Sequence, residues 1–191
     1  CDHLYADIGL AQAYIYKKQP ERAREILQGL LQYRAEMDTL SFGTVLFDLG
    51  KIEYTFSKDY DKAEFYFDQL IAFYGADKVN TSYWFKGSIA ESRENSDTAK
   101  FYYQKAMQGY DEIYLQYNCA RSLLYLTLDS TAQPELYGYI KRFEQTSDSI
   151  NRIERRTEID DIRTAHAMEL HQRELAERHR RFMYCATLIV V

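Results

Sequence analysis

Apolar positions in this chain fall three and four residues apart, the spacing that gathers side chains on one face of a helix. Small alanines stand at Ala23, Ala63 and Ala99, each opening such a segment after a polar turn. Four places on come Leu27, Phe67 and Tyr103, and three further on Leu30, Leu70 and Ala106. Another amphipathic segment precedes each alanine, over residues 4–18, 40–57 and 81–94. The turns between them read Lys18-Gln19-Pro20-Glu21, Lys58-Asp59-Tyr60-Asp61 and Asn95-Ser96-Asp97. Pro20 suits the first turn of a helix, and Ser96 and Asp97 suit an N-cap. The pattern predicts helix, tight turn, helix, recurring every 36 to 40 residues. A small residue where two helices cross lets their backbones approach. The large residue one turn later is expected to fill the groove against the next pair. No run of alternating apolar and polar residues predicts a strand.

These residues resemble the tetratricopeptide repeat, a unit of about 34 residues. The third unit matches best: Gly87 stands twelve residues before Ala99, Tyr103 and Ala106 follow, and Trp84 lies near the start of the first helix. In the first unit Leu10, Ala11, Tyr14, Ala23 and Leu27 take equivalent places. The second departs, because Leu49-Gly50 is one residue too far from Ala63 while Tyr54 is at the family's distance. An extra residue in its first helix or turn is implied. A degenerate fourth unit runs from Tyr114 to Thr146, with Pro134 opening its second helix. The resemblance covers residues 4–146. It implies an all-α superhelix of three to four helical hairpins, ahead of a long C-terminal helix.

The resemblance also implies a binding face, made by the first helix of each hairpin, for a protein or peptide. The register places Tyr5, Gln12 and Tyr16 there, then Asp48, Ile52 and Thr55, then Trp84, Ser88 and Glu91. Aromatic anchors beside a few polar groups suit an extended peptide or a partner's helix. The face lacks the Lys, Arg and Asn set with which chaperone-binding members clamp a terminal carboxylate, and Asp48 and Glu91 would repel one. Core packing is the competing role for each of these residues.

The pattern changes at about residue 147. Ile150, Ile153, Ile159, Ile162, Met168, Leu170 and Leu175 are separated by Arg, Glu and Asp. A helix this polar needs a partner or many ion pairs to persist. Homodimeric pairing through residues 150–175 and a solvated single helix both fit. A basic collar, Arg178 to Arg181, then leads into an apolar run over residues 182–191. That run is half of the about 20 residues a bilayer span needs. It is expected to be the start of a transmembrane helix, with the chain cut inside it. The implied organisation is a repeat domain over 1–146, a charged juxtamembrane helix over 147–181 and the opening of a span over 182–191. Such an order resembles membrane-anchored bacterial regulators of the tetratricopeptide class. Their repeats lie outside the inner membrane, ahead of a DNA-binding or histidine-kinase output module. The resemblance implies a periplasmic sensor region, although Arg180 and Arg181 before the span favour the cytoplasmic side. A plain scaffold at a membrane and a soluble peptide-sensing regulator are the other readings.

Charge and cysteine content narrow the picture. A formal charge of −5 with acids and bases interleaved argues against nucleic-acid binding by this segment. Eighteen tyrosines suit helix–helix interfaces, where a ring is buried while its hydroxyl finds a partner. Cys1, Cys119 and Cys185 form no metal or disulfide framework. Opening on Cys1 implies processing or truncation, a lipidated cysteine being one version. Cys119 sits in an apolar helix and is expected to be buried. No phosphate loop, nucleophile elbow or H-E-x-x-H motif is present, so neither an enzyme nor a cofactor is expected. His166, Glu169 and His171 suggest a metal, but residues five apart on a helix diverge too far to share one ion.

Overall fold

The computed structural model describes residues 2–75, 79–108, 112–128 and 133–189; at residues 2, 133, 170, 174 and 177–189 it describes the backbone alone. Among these residues there are eight α-helices and no strand. They are α1 (Asp2–Tyr16), α2 (Pro20–Leu30), α3 (Thr39–Ile52), α4 (Tyr60–Tyr74), α5 (Asn80–Ser92), α6 (Ser96–Met107), α7 (Ile113–Thr127) and α8 (Gln133–Ile189). The all-α array of hairpins with a long C-terminal helix is therefore observed. The pairs are α1/α2, α3/α4 and α5/α6, and the start of α8 meets α7 where Phe143 stacks on Tyr117 at 5.0 Å. The chain forms two compact units, one ending at Glu144 and one beginning at Gln145.

Local chemistry sets the helix ends. Asp38 caps α3 by accepting from the Ser41 amide at 2.9 Å, and Asp59 caps α4 by accepting from the Lys62 amide at 3.1 Å. For α6 the cap is Asn95, one residue before the expected Ser96. Its side-chain oxygen reaches the Thr98 amide at 3.2 Å, relieving an amide that has no partner within the helix. Each of the first three hairpins turns on a left-handed residue: Lys18, Lys58 and Glu94, with φ of 56°, 57° and 58°.

The next amide then closes the turn. Gln19 N–H donates to the Tyr14 carbonyl at 2.9 Å and Asn95 N–H to the Ala90 carbonyl at 2.9 Å, each five residues back. In the second hairpin Asp59 N–H reaches six residues back, to the Glu53 carbonyl at 3.1 Å. Glu53–Ser57 is a π-helical turn. A π turn absorbs one additional residue without breaking the helix. This is where the extra residue of the second unit goes.

Inside the second and third pairs, a large side chain of the second helix lies on a small residue of the first. A Cβ added at Gly50 would stand 2.8 Å from the Phe67 ring, and one at Gly87 2.7 Å from the Tyr103 ring. Ala23, Ala63 and Ala99 are fully buried, as are Leu27 and Phe67, and Tyr103 is nearly so. The large residue was expected to face the following pair. In the second hairpin it does this as well as closing its own pair: Phe67 also stacks on Phe85 of α5 at 4.9 Å and 11°. Phe85 in turn meets Phe47 and Tyr54 edge-on, at 5.9 and 5.0 Å.

Ion pairs stitch the hairpins together. Arg24 of α2 donates to the buried Glu53 at 2.7 Å and to Ser57 Oγ at 2.5 Å. Arg93, the C-cap of α5, meets Glu64 and Asp61 of α4, both at 2.6 Å, and Lys86 of α5 pairs with Asp68. A partly exposed bridge of this kind contributes little, while removing a partner of buried Glu53 strands a charge.

From Gln145 onward α8 makes up the second unit. Every side chain described over residues 151–176 is exposed. Local pairs such as Arg173 with Glu169, at 2.6 Å, support it. Ile150, Ile153, Thr157, Thr164, Met168 and Leu175 follow a three-and-four spacing and so share one face. The expected inner-membrane anchoring is corrected: among the described residues no helix is long and apolar enough to cross a membrane. Residues 182–189 continue the charged α8, and Val190 and Val191 lie outside the described residues. Cys1 also lies outside the described residues, as do the side chains of Cys185 and of the basic collar.

The packing gives a stability test. Gly87→Ala gains about 1 kcal/mol of helix propensity but drives a methyl into a ring that has no room to move, at about 1–3 kcal/mol. Net destabilisation is expected, and Ala99→Leu should cost about 1–3 kcal/mol for the same reason. Urea midpoints equal to or above wild type for both variants would refute this helix pairing.

Candidate functional site

The first helices of the first three hairpins border a groove of about 580 Å³. Gly43 makes room for it. Tyr74 of α4 lies flat against α3 where a side chain would otherwise stand, and its hydroxyl donates to the Thr39 carbonyl at 2.6 Å. With Tyr74, the side chains of Leu40, Phe47, Leu70 and Val79 give apolar walls. Six polar side chains interrupt them: Gln12 from α1, Thr44, Asp48 and Lys51 from α3, and Thr81 and Ser82 from α5.

Asp48 is buried at 6 % exposure. One of its oxygens accepts from Gln12 Nε2 at 3.0 Å. Burial raises its pKa above the ordinary 3.8, against the Gln12 hydrogen bond and the nearby Lys51 charge, which both lower it. Ser82, at 1 % exposure, has an Oγ that is buried with no hydrogen-bond partner. A buried hydroxyl left unpaired costs about 1–3 kcal/mol, so the fold carries both groups at a loss. Counted from Ala11, Gly50 and Gly87, Asp48 takes the place of Gly9 in the first hairpin and Phe85 in the third. The acid is peculiar to the second.

Of the nine residues expected on the binding face, the structure brings two into this groove, Gln12 and Asp48. Tyr5 is exposed and donates to Asp38 at the α3 N-cap, at 2.6 Å. Tyr16 is 89 % exposed at the end of α1, and Thr55 is exposed on the π turn. Ile52 has no exposure and lies in the core. Trp84 packs edge-on to Phe85 at 5.0 Å, its indole N–H buried without an acceptor. Ser88 is buried and shares a hydrogen bond with the Tyr103 hydroxyl at 3.1 Å, and Glu91 accepts from that hydroxyl at 2.6 Å. These two hold Tyr103 in place, and burial first, then Glu91, raises its pKa.

Sequence reasoning missed Lys51, Ser82, Phe47 and Tyr74. A usable signal was present: Asp48 stands alone in the apolar run Val45-Leu46-Phe47-Asp48-Leu49, and Gly43 sits mid-helix. Cys119 is fully buried as expected, and burial pushes its thiol up to about 12. His166, Glu169 and His171 form no metal cluster, and none is found among the described residues.

The comparisons with known proteins agree with this architecture. A tetratricopeptide repeat is found over residues 81–108, the α5/α6 hairpin. Among solved structures, the chain is similar to the crystal structure of MamA, a tetratricopeptide repeat protein. The TM-score is 0.61 at 17 % identity, over 78 % of this chain and 81 % of that one. At that identity the likeness is one of fold. No curated protein matches the sequence.

Asp48 supplies a pH test. A carboxyl whose folded pKa is raised binds its proton more tightly in the folded state. Its contribution to stability is present below 3.8 and is lost as pH rises through the folded value. Asn has no proton to lose. The stability of Asp48→Asn relative to wild type should therefore increase from about pH 4 toward neutrality. Urea midpoints whose difference is flat with pH, or drifts the other way, would show that Asp48 is not held in a desolvated site.

Proposed function

We propose that this chain is a non-catalytic protein-interaction module whose receiving surface is the groove over α3. The observation that carries the reading is a recess with apolar walls and a few buried, incompletely paired polar groups on the first helices of stacked hairpins. A mostly apolar recess with sparse polar anchors is how extended peptides and partner helices are held. The tetratricopeptide repeat in the third hairpin supports the same role, since proteins of that class act as interaction scaffolds. Of the expected face, Gln12 and Asp48 are the residues we assign to contact. Tyr5, Tyr16, Thr55, Trp84 and Glu91 remain candidates for a longer ligand that runs past the groove. The finer expectation, a sensor region feeding a signalling or transcriptional output, adds a switch to this scaffold and rests on resemblance alone. Display of random dodecapeptides tests the groove. Selected peptides should lose at least about tenfold in affinity, about 1.4 kcal/mol, when Thr44→Trp fills the recess. Equal binding to the filled variant would put the receiving surface elsewhere.

The second unit suits homodimeric pairing of residues 150–175. Ile153, Met168 and Leu175 are exposed by 46 %, 63 % and 50 % on one face, and Arg152, Arg155, Arg156 and Arg163 cluster on another. An isolated helix gains nothing from such exposed apolar groups, whereas a second copy would bury them. Sedimentation of the chain should show a concentration-dependent dimer that Met168→Glu abolishes. A monomer at every concentration would remove this pairing while leaving the groove untouched.

A further inference from the structure

Resting on the groove as the receiving surface, we infer that its polar anchor is a cation site: Asp48 accepts a lysine or arginine side chain of the partner, with the Ser82 hydroxyl as a second acceptor. A carboxylate has room for about four hydrogen bonds, and Asp48 receives one, from Gln12. Ser82 lines the same recess, and its Oγ is buried with no hydrogen-bond partner among the described residues. Two buried polar groups left short of partners in one groove mark the place where a donor arrives.

Charge decides which donor. Among the described residues the groove holds two charged groups, Asp48 and Lys51. Asp48 is buried, whereas Lys51 is only partly so. A flexible lysine can keep its ammonium in water, where its field is screened, while the carboxylate acts through a medium of lower dielectric. The nearer, less screened charge is negative. The surroundings agree, since the formal charge of −5 lies entirely on the unit ending at Glu144, the helix beyond it being balanced. An approaching cation is drawn in and an anion turned away. The apolar walls, Phe47, Leu70 and Tyr74, cover the aliphatic stem of such a side chain or an apolar neighbour. A partner with a basic residue beside an aromatic or aliphatic one fits this chemistry, and one offering a terminal carboxylate does not.

Phenethylguanidinium is the probe, with phenethyl alcohol as its neutral counterpart and 3-phenylpropionate as its anionic one. Each is titrated into the intact chain while the side-chain amide of Gln12 and the backbone amides of Asp48, Lys51 and Ser82 are followed by NMR. The guanidinium compound should saturate these shifts at a concentration at least about tenfold lower than the other two. Asp48→Asn should erase that preference. Ser82→Ala, which keeps the carboxylate, should weaken the guanidinium compound by a smaller factor. If the three compounds bind alike, or Asp48→Asn leaves the preference intact, the cation site is overturned and the groove stands. A preference for phenylpropionate overturns it in favour of Lys51. If none of the three moves these resonances, the groove falls with it.

Discussion

One contact underlies the rest: a large side chain of the second helix pressed on a small residue of the first. At Gly50 and Gly87 the backbone of the first helix is bare, and the rings of Phe67 and Tyr103 occupy the space a Cβ would need. Close-packed interiors tolerate no extra methylene, so this contact sets how near the two helices lie. It also sets where the first helix points its other faces. Because Phe67 continues outward to stack on Phe85, the spacing inside one hairpin is transmitted to the next.

The second hairpin shows what happens when the register is disturbed. An extra residue between Gly50 and the turn would rotate everything after it by about 100°, were it added to a plain α-helix. The π turn over Glu53–Ser57 takes it up instead, so Lys58, Asp59 and Ala63 resume the positions of Lys18, Gln19 and Ala23. Gly50 therefore still meets Phe67. The turn also sets Glu53 and Ser57 against Arg24 of the preceding hairpin. The same hairpin carries the groove, where Gly43 admits Tyr74 and Asp48 replaces the glycine or phenylalanine of its neighbours. Irregularity and candidate site fall together on one helix.

How much of this was legible follows from the range of the forces involved. Helix positions, hairpin pairing and the small-large contacts are local or periodic, and the spacing of Ala11, Gly50 and Gly87 from the later alanines displays them. The one-residue discrepancy in the second unit was visible, but whether a turn or a helix would absorb it depends on hydrogen bonds that no spacing encodes. The site was half legible. Gln12 and Asp48 could be placed on a helix face, but the face was drawn through Ile52 and Ser88, which tertiary contacts bury. Counting each helix from its small residue pairs Trp84 with Phe47 and Ile8, not with Asp48, so the expected set mixed two positions. The apolar terminus misled for a different reason: composition marks a greasy stretch, but among the described residues no helix is both long and apolar enough to cross a membrane.

Ring and glycine set the hairpin geometry jointly, and a double-mutant cycle measures how far. Stability is determined for Gly87→Ala in the wild-type background and again in Tyr103→Leu, where the ring is gone. The alanine should be destabilising in the first and neutral or stabilising in the second, with a coupling of about 1 kcal/mol or more. The same penalty in both backgrounds would contradict it, because the added methyl would then be meeting something other than the Tyr103 ring.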